Sequence, residues 1–464
     1  METDVHSDVK RYPKKIIVSF QLGNLVNLMM SQMYSQQLTF FYLSEVGLDI
    51  YFYVIGMVLY MVYNMFNDPL LGYLCDKSKR FTERFGKRFP FIVLGSIPWC
   101  FVVIFIYIPP SVEQIGQFGV FLWFLIFLCI NDTVFSLYDI NRVGLFPDKF
   151  RHPQDRKIGG TVTTILETIG IMLGVLIPVL TVQFVGAETG YRIQAIIIAL
   201  VSFAFMVLMI PGVRETEEMR ERRIRADRVE IESFFKGLKQ ALRDKHFMGY
   251  VAFYVAYTTT MGLIMASIPF FVQDILLMPK IGELVVLFYI VAVIIGAPLW
   301  YKLSSRLGIK RTTLVGACVL GSMGIPFLFI PGGSTGLIFV IIIFLIAGFF
   351  DAAIISMTMP LFSSVVDNAT IETGKRREGL YNGTWMFFSR VSLANRAIVF
   401  LIIQLIFGYQ SGSTAPSELF GLRVQVSIVP FIILFTGIFL FWKFYRITPE
   451  ELEENVHKLK ALKI

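Results

Sequence analysis

Long apolar stretches separated by shorter polar stretches run along the whole chain. They fall at roughly 16–43, 49–75, 90–109, 116–145, 159–185, 190–212, 247–272, 282–303, 312–331, 336–365, 379–408 and 425–445. About 20 helical residues are needed to cross the hydrocarbon core of a bilayer, whereas a transmembrane β-strand needs only about 10. The pattern therefore predicts an all-α membrane protein with about twelve transmembrane helices.

Composition agrees with a protein surrounded by lipid. Hydrophobic residues make up 55% of the chain and charged residues 16%, whereas about 25% of a soluble domain is charged. Basic residues concentrate in alternate loops, and the opposite loops hold little beyond Arg192, Lys280 and Arg423. The positive-inside rule then places both termini in the cytoplasm. The same bias accounts for the net charge of +8 without a nucleic-acid partner.

A polar segment and a weak internal repeat divide the chain into two parts. The predicted organisation is an N-terminal six-helix half at 1–212, a cytoplasmic linker with an amphipathic helix at 213–245, a C-terminal six-helix half at 246–446 and a cytoplasmic tail at 447–464. Pro69-Leu70 and Phe146-Pro147 have counterparts in Pro298-Leu299 and Met359-Pro360. Two such halves, related by an axis along the membrane normal, indicate the major facilitator fold, with the substrate site between them.

Polar residues inside the predicted helices are candidates for function, because an ionisable side chain costs about 2.5–3.5 kcal/mol there. Helical spacing places each of two sets on one helix face, namely Tyr60, Asn64, Asn67 and Asp68 on the second helix and Asp132, Ser136 and Asp139 on the fourth. Carboxylates with nearby amide and hydroxyl oxygens suit a sodium ion, and the same carboxylates could instead bind a proton.

A structural interpretation competes with the ion site. Asp139 could form an ion pair with Arg142 or Arg390 that holds helices together. For Asp132 and Asp351 the structural and functional interpretations are balanced, and Glu167 favours the structural one.

Acids beside basic turns at the cytoplasmic helix ends indicate a charge latch that stabilises one access state. The candidate cytoplasmic gate residues are Asp76, Arg88, Asp155, Arg156, Arg377 and Glu378. Alternatively, these basic loops only determine the topology.

Three motifs carry a family resemblance. The first lies on and after the second helix and consists of Asn67-Asp68-Pro69-Leu70-Leu71-Gly72-Tyr73 followed by Arg84-Phe85-Gly86-Lys87-Arg88-Phe89-Pro90-Phe91. The second, on the fourth helix, is Asp139-Ile140 with Leu145-Phe146-Pro147. The third precedes the eleventh helix and is Thr373-Gly374-Lys375-Arg376-Arg377-Glu378-Gly379-Leu380-Tyr381. In this order the motifs resemble the glycoside-pentoside-hexuronide:cation symporter family, the melibiose-permease branch of the major facilitator superfamily.

The resemblance implies a cation site on the second and fourth helices. Asp68 and Asp139 match two of the family's carboxylates and are the residues at which Na⁺ is expected. Supporting positions are Asn67, which matches an amide, Ser136, which sits where a hydroxyl assists, and Asn64, which stands where melibiose permease has another carboxylate. Because this chain has an amide at that position, the resemblance does not decide which ion is coupled or whether coupling is obligatory.

The sugar-binding positions match poorly. Leu28, Thr164 and Val143 fall at or near positions where melibiose permease has sugar-binding groups, which argues against a galactoside. The candidate substrate and coupling residues are Arg390, Arg142, Arg396, Tyr138, Trp385 and Thr164, of which Arg390 falls at a basic position that communicates with the cation site. The arginines would suit a sugar acid, whereas an apolar surface between the first and fifth helices would suit a lysolipid.

These observations predict a symporter of the cell membrane, driven by Na⁺ or H⁺, that carries a small sugar-like or sugar-acid-like solute by alternating access. A monomer is expected, with no cofactor beyond the coupling ion. The alternatives are a transporter of lysolipids or other amphiphiles and a non-transporting receptor. An enzyme is not expected, because the four histidines lie in tails, loops or a helix edge and form no catalytic cluster.

Overall fold

A computed structural model describes residues 11–77, 86–219, 241–278, 284–373 and 378–448, together with Glu450, Glu451 and Glu454. The α-helices are α1 Lys14–Phe40, α2 Ile50–Lys77, α3 Phe89–Tyr107, α4 Val112–Lys149, α5 Pro153–Val185, α6 Ala187–Val213, α7 Lys245–Asp274, α8 Val285–Leu307, α9 Ile309–Ser322, α10 Gly333–Thr373, α11 Glu378–Ser389, α12 Val391–Phe407, α13 Pro416–Val426 and α14 Ile428–Phe444. Within the described residues the chain forms helices, turns and loops and contains no β-strand.

Eleven helical segments of the described chain are long and apolar enough to cross a membrane. Three of these segments contain a break. Ile309–Leu328 joins α9 to a short 3-10 helix at Ile325–Leu328, α11 and α12 together form Tyr381–Phe407, and α13 and α14 together form Pro416–Phe444. The twelfth predicted span is α1, which has 27 residues but is more polar. Its sequence includes Gln21, Asn24, Asn27, Gln32, Gln36 and Gln37.

The chain divides into two compact units, Met1–Glu230 and Ile231–Ile464. The division falls within the segment 213–245 that separates the two apolar halves of the sequence. Most of the amphipathic helix predicted there belongs to residues 220–240, which lie outside the described residues.

In the first unit, α1 packs most extensively against α5. Gly170 and Gly174 permit this close approach, because a Cβ atom would lie 2.3 Å from the Leu25 carbonyl oxygen at the first position and 2.4 Å from the Met29 carbonyl oxygen at the second. Small residues four positions apart are a common device for bringing membrane helices together. The contact buries the polar α1 inside the unit, where Gln36 and Gln37 are each 1% exposed.

In the second unit, α8 packs most extensively against α10. A Cβ at Gly348 of α10 would lie 2.3 Å from the carbonyl oxygen of Tyr289 in α8. A second contact region joins α7, α9, α10 and α14 through buried side chains that include Tyr250, Phe253 and Phe441.

We predict that Gly174→Leu destabilises the protein by about 2–3 kcal/mol, because the added side chain meets rigid backbone of α1. Thermal unfolding of the detergent-purified protein measures the loss. Gly160→Leu is the matched control, since Gly160 is an exposed glycine of α5 with no atom within 4 Å of the added Cβ. Equal melting temperatures for the two variants would show that the α1–α5 contact tolerates a wider separation.

Candidate functional site

The polar faces of α2 and α4 meet along a parallel helix pair. Asn64 of α2 contacts Asp132 of α4, and Asp68 contacts Ser136, so both contacts join residues 68 positions apart. A constant offset means that the helices run in the same direction and that the two contacts lie one helical turn apart. The polar faces predicted from helical spacing therefore face each other.

The contact between Asp68 and Ser136 joins two of the residues that were predicted to bind the cation. The Ser136 hydroxyl donates to the Asp68 carboxylate over 2.5 Å. Ser136 is 2% exposed, whereas Asp68 is partly exposed. An ionisable carboxylate thus joins two helices inside a membrane segment and has a hydroxyl oxygen directly beside it.

The two asparagines predicted to support the cation site, Asn64 and Asn67, contact Asp132. Asn64 and Asn67 donate through Nδ2 to the two oxygens of Asp132 at 2.5 and 3.0 Å, and the Tyr60 hydroxyl donates at 3.3 Å. Asp132 is 2% exposed. The sequence prediction did not include Asp132 among the ion ligands, although its position one turn before Ser136 on the same face was a signal for it.

Asp139 forms an ion pair with Arg142, which is the structural interpretation that the sequence left open beside the cation site. Its carboxylate accepts from Arg142 at 2.8 Å and from Asn27 of α1 at 2.9 Å. The side chain of Arg142 is 5% exposed, and that of Asp139 is 22% exposed. Asn27 is a partner that sequence reasoning missed, and the role of Asp139 as a cation ligand stays a prediction.

The predicted substrate residues of the first unit have different environments. Tyr138 is fully buried and stacks on Trp99 with 5.7 Å between ring centroids, while the Arg142 guanidinium lies 5.5 Å from the Tyr138 ring. Thr164 is exposed on α5, and its hydroxyl donates to the Gly160 carbonyl oxygen. Tyr138 and Arg142 thus contribute to packing between helices, whereas Thr164 has an accessible side chain.

The predicted substrate and coupling residues of the second unit lie on or between α11 and α12. Trp385 packs among aromatic rings, with Tyr254 at 4.9 Å and Phe362 at 5.3 Å. Arg390 lies between the two helices, and the Arg396 side chain lies against Gly262 of α7. Their functional roles stay predictions.

The second unit also contains a buried carboxylate. Asp351 of α10 is 1% exposed and accepts a hydrogen bond from the Tyr289 hydroxyl of α8. Tyr289 and Tyr60 each stand nine residues before the proline of the internal repeat, Pro298 or Pro69. The two units therefore share the pairing of a tyrosine from this repeat position with a buried aspartate of a neighbouring helix.

The predicted gate residues are only partly described. Asp155 is fully buried and accepts from the Tyr12 backbone N–H at 2.9 Å, with Arg11 at 3.7 Å. Arg156 donates to the Phe150 carbonyl oxygen at 2.7 Å. The side chains of Asp76 and Glu378, and all of Arg377, lie outside the described residues.

Arg88 precedes α3, and its backbone N–H donates to the Glu215 carboxylate at 2.6 Å. Glu215 also accepts from the Phe89 N–H at 3.1 Å, so it caps the start of α3. Sequence reasoning missed Glu215, because a cap from a distant segment leaves no local pattern.

The predicted binding of an alkali-metal ion or a proton on α2 and α4 stays a prediction. In the part of the chain that the structure describes, His, Cys, Asp and Glu side chains form no group of three or more that could hold a metal ion. The carboxylates of α2 and α4 instead lie beside amide and hydroxyl groups, whose oxygens are hard ligands of the kind that hard cations prefer.

Sequence comparison now identifies the family. The sequence model of the MFS/sugar transport protein family matches residues 19–449. The chain belongs to this family. It is a membrane transporter of the major facilitator superfamily, and both the predicted resemblance and the predicted fold are confirmed.

Individual relatives differ in what their names say they carry. The chain is 23% identical to the sodium-dependent lysophosphatidylcholine symporter 1 of Gallus gallus, over 91% of this chain and 84% of that protein. It is 22% identical to the putative glycoside/cation symporter YagG of Escherichia coli, over 90% and 88%. A sphingosine-1-phosphate transporter of Mus musculus is 19% identical, over 80% and 77%.

A solved structure supports the fold alone. The bacterial homolog of the human lysosomal transporter Spinster, in an inward-facing and unoccupied conformation, superimposes with a TM-score of 0.64 at 12% identity. The match covers 95% of this chain and 100% of that one.

We predict that Asp139→Asn lowers the unfolding free energy by about 3–5 kcal/mol, because it leaves the buried Arg142 charge without its carboxylate. The double variant Asp139→Asn with Arg142→Gln should lose less than the sum of the two single variants, as thermal unfolding of purified protein would show. Additive losses would mean that the two residues act independently and would remove the structural role of the pair.

Proposed function

We propose that the chain is a sodium-coupled symporter that moves an amphiphilic organic solute by alternating access. It acts in the cell membrane as a monomer. A sodium ion entering from outside occupies the polar face between α2 and α4, with Asp68 and Ser136 as ligands, and raises the affinity for the solute.

The contact between Asp68 and Ser136 carries the proposal for ion coupling. A carboxylate in a membrane helix costs about 2.5–3.5 kcal/mol, and such residues commonly mark ion pathways. The contact joins two helices, so an ion bound there would bias their relative position. Two relatives, one named as a sodium-dependent symporter and one as a cation symporter, support the same proposal.

Coupling needs no direct contact between ion and solute. It requires that both bind one conformational state more tightly than the other, so that each raises the affinity of the other by the same factor. A coupling free energy of about 1–3 kcal/mol corresponds to a 5–150-fold change in affinity.

Two observations support an amphiphile over a sugar. A sugar site needs paired polar groups, yet Tyr138 is enclosed by packing and Arg142 is neutralised by Asp139. Val143, the next residue of α4, is a hydrophobic side chain that is 54% exposed. Relatives named for lysophosphatidylcholine and sphingosine-1-phosphate point in the same direction.

A sugar acid is the second candidate substrate. The Escherichia coli relative is named as a putative glycoside/cation symporter. Arg390, between α11 and α12, and Arg396 of α12 add positive charge to this region. Guanidinium groups bind carboxylates well because they donate two parallel hydrogen bonds.

We predict that cells producing the chain take up lysophosphatidylcholine faster in sodium chloride than in choline chloride, and that Asp68→Asn lowers sodium-driven uptake at least about tenfold, a change of about 1.4 kcal/mol. Uptake of a labelled lysophosphatidylcholine and of a labelled glucuronide is measured in parallel. Glu113→Gln, at an exposed carboxylate near the start of α4, is the control and should transport normally.

Two results would contradict parts of this proposal. Sodium-driven uptake at the normal rate in Asp68→Asn would remove this carboxylate from coupling. Uptake of the glucuronide but not of lysophosphatidylcholine would replace the amphiphile with the second candidate.

A further inference from the structure

Asp351 of α10 has unusual partners for an aspartate inside a membrane helix. Its side chain is 1% exposed, and its Oδ2 accepts a hydrogen bond from the Tyr289 hydroxyl of α8. Its Oδ1 is buried and makes no hydrogen bond. Tyr257 of α7 also faces the carboxyl group. Within the described residues, no lysine, arginine or histidine acts on the charge of Asp351.

Three other aspartates of these helices each have a partner that can only donate a hydrogen bond. Asp132 accepts an amide N–H on both of its oxygens. Asp139 is paired with Arg142, and Asp274 accepts the backbone N–H of Gly412 at 3.0 Å. An amide N–H or a guanidinium stabilises an ionised carboxylate but cannot accept from a protonated one.

A hydroxyl partner suits either form of a carboxyl group. The Tyr289 hydroxyl donates to an ionised carboxylate, and its oxygen accepts from a carboxylic acid just as well. Burying a carboxylate charge with no cation beside it is costly, whereas the neutral acid needs only hydrogen bonds. A proton bound at the free Oδ1 of Asp351 therefore removes the charge and leaves the hydrogen bond from Tyr289 in place.

The helices around Asp351 contribute no other group whose charge changes near neutral pH. In the described part of the second unit, α7, α8 and α9 pack against α10. α7 contributes Tyr257 and α8 contributes Tyr289, and tyrosine hydroxyls keep their protons near neutral pH. α9 meets α10 on another face, where Gly316 lies beside Phe350 and Ala353. A change of charge in this cluster therefore belongs to Asp351.

A cavity of about 350 Å³ between α7, α8, α9 and α10 reaches the same hydrogen bond. Among its lining residues, Tyr289 is the one with a hydroxyl group, and none carries a charge. Ile343 and Ala347 of α10 also line it. They stand eight and four positions before Asp351, so helical spacing places all three on one helix face. Tyr289 thus connects the Asp351 carboxyl group with this cavity.

We propose that Asp351 is a proton-binding site of the second unit, through which an inward proton gradient accelerates transport. The proposed sodium ion binds on α2 and α4, so this site adds a second coupling ion and does not depend on the first. The bond from Tyr289 to Asp351 joins α8 to α10, the helices that pack most extensively in this unit. A proton bound here therefore acts on a contact between helices and can bias the conformational state that binds the solute.

Infrared difference spectroscopy of the purified full chain in lipid detects the proton, because a carboxylic acid has a carbonyl stretching band that a carboxylate lacks. A change from mildly acidic to mildly alkaline buffer should remove such a band in the natural protein, and Asp351→Asn should lack this change. Tyr289→Phe should shift the frequency of the band, because it removes the hydrogen bond to the same carboxyl group. Asp132→Asn is the matched control, since Asp132 is similarly buried but accepts two N–H groups, and it should keep the natural band.

Three results would overturn the proton site. They are the absence of the band in the natural protein, the full natural change in Asp351→Asn, and loss of the band in Asp132→Asn with retention in Asp351→Asn. If Asp351→Asn does not fold, Tyr289→Phe decides the question, because a band at the natural frequency in this variant would assign the proton to another carboxyl group.

Transport measurements test the coupling role and rest on the proposed substrate. In proteoliposomes with a fixed sodium gradient, an inward proton gradient should accelerate uptake of labelled lysophosphatidylcholine at least about fivefold. Asp351→Asn should abolish the acceleration. Its persistence in this variant, or its absence from the natural protein, overturns the coupling role. If the natural protein takes up no lysophosphatidylcholine at all, the proposed substrate is wrong, and the infrared band by itself decides whether Asp351 binds a proton.

Discussion

The absence of water inside a bilayer is the constraint on which this structure depends. A polar side chain of a membrane helix must find its partner on the same helix or on a neighbouring one, because lipid offers none. Asp132 is held by two amides of α2, and Asp351 accepts from Tyr289 of α8. Asp139 shares its carboxylate between Arg142 and Asn27. These three buried or partly buried carboxylates therefore each join neighbouring helices.

Close backbone packing brings those partners within reach. The glycines of α5 let α1 approach to backbone distance, and α1 also supplies the Asn27 amide to Asp139 of α4. An amide-rich helix is poorly suited to face lipid, and burial against α5 and α6 gives it a protein environment instead. Packing of small residues and satisfaction of polar groups are thus two aspects of the same helix arrangement.

The internal repeat extends to chemistry as well as to sequence. Tyr60 and Tyr289 occupy equivalent positions before a helix proline and each contacts a buried aspartate. In the first unit, the aspartate is additionally surrounded by Asn64 and Asn67, whereas the second unit has Val293 and Gly296 at the corresponding distances before Pro298. The same helix pairing therefore holds an amide-rich cluster in one unit and a simpler pair in the other.

The sequence by itself determined the all-α membrane class, a prediction of about twelve membrane spans and the superfamily, because apolar length and local motifs are properties of single segments. It also placed Asn64, Asn67 and Asp68 on one face of α2, since helical spacing is fixed. Which side chains meet across two helices was decided only by the tertiary structure. A helix face of several residues can pair with its neighbour in more than one register. In the observed register, Asn64 and Asn67 contact Asp132, and Ser136 contacts Asp68.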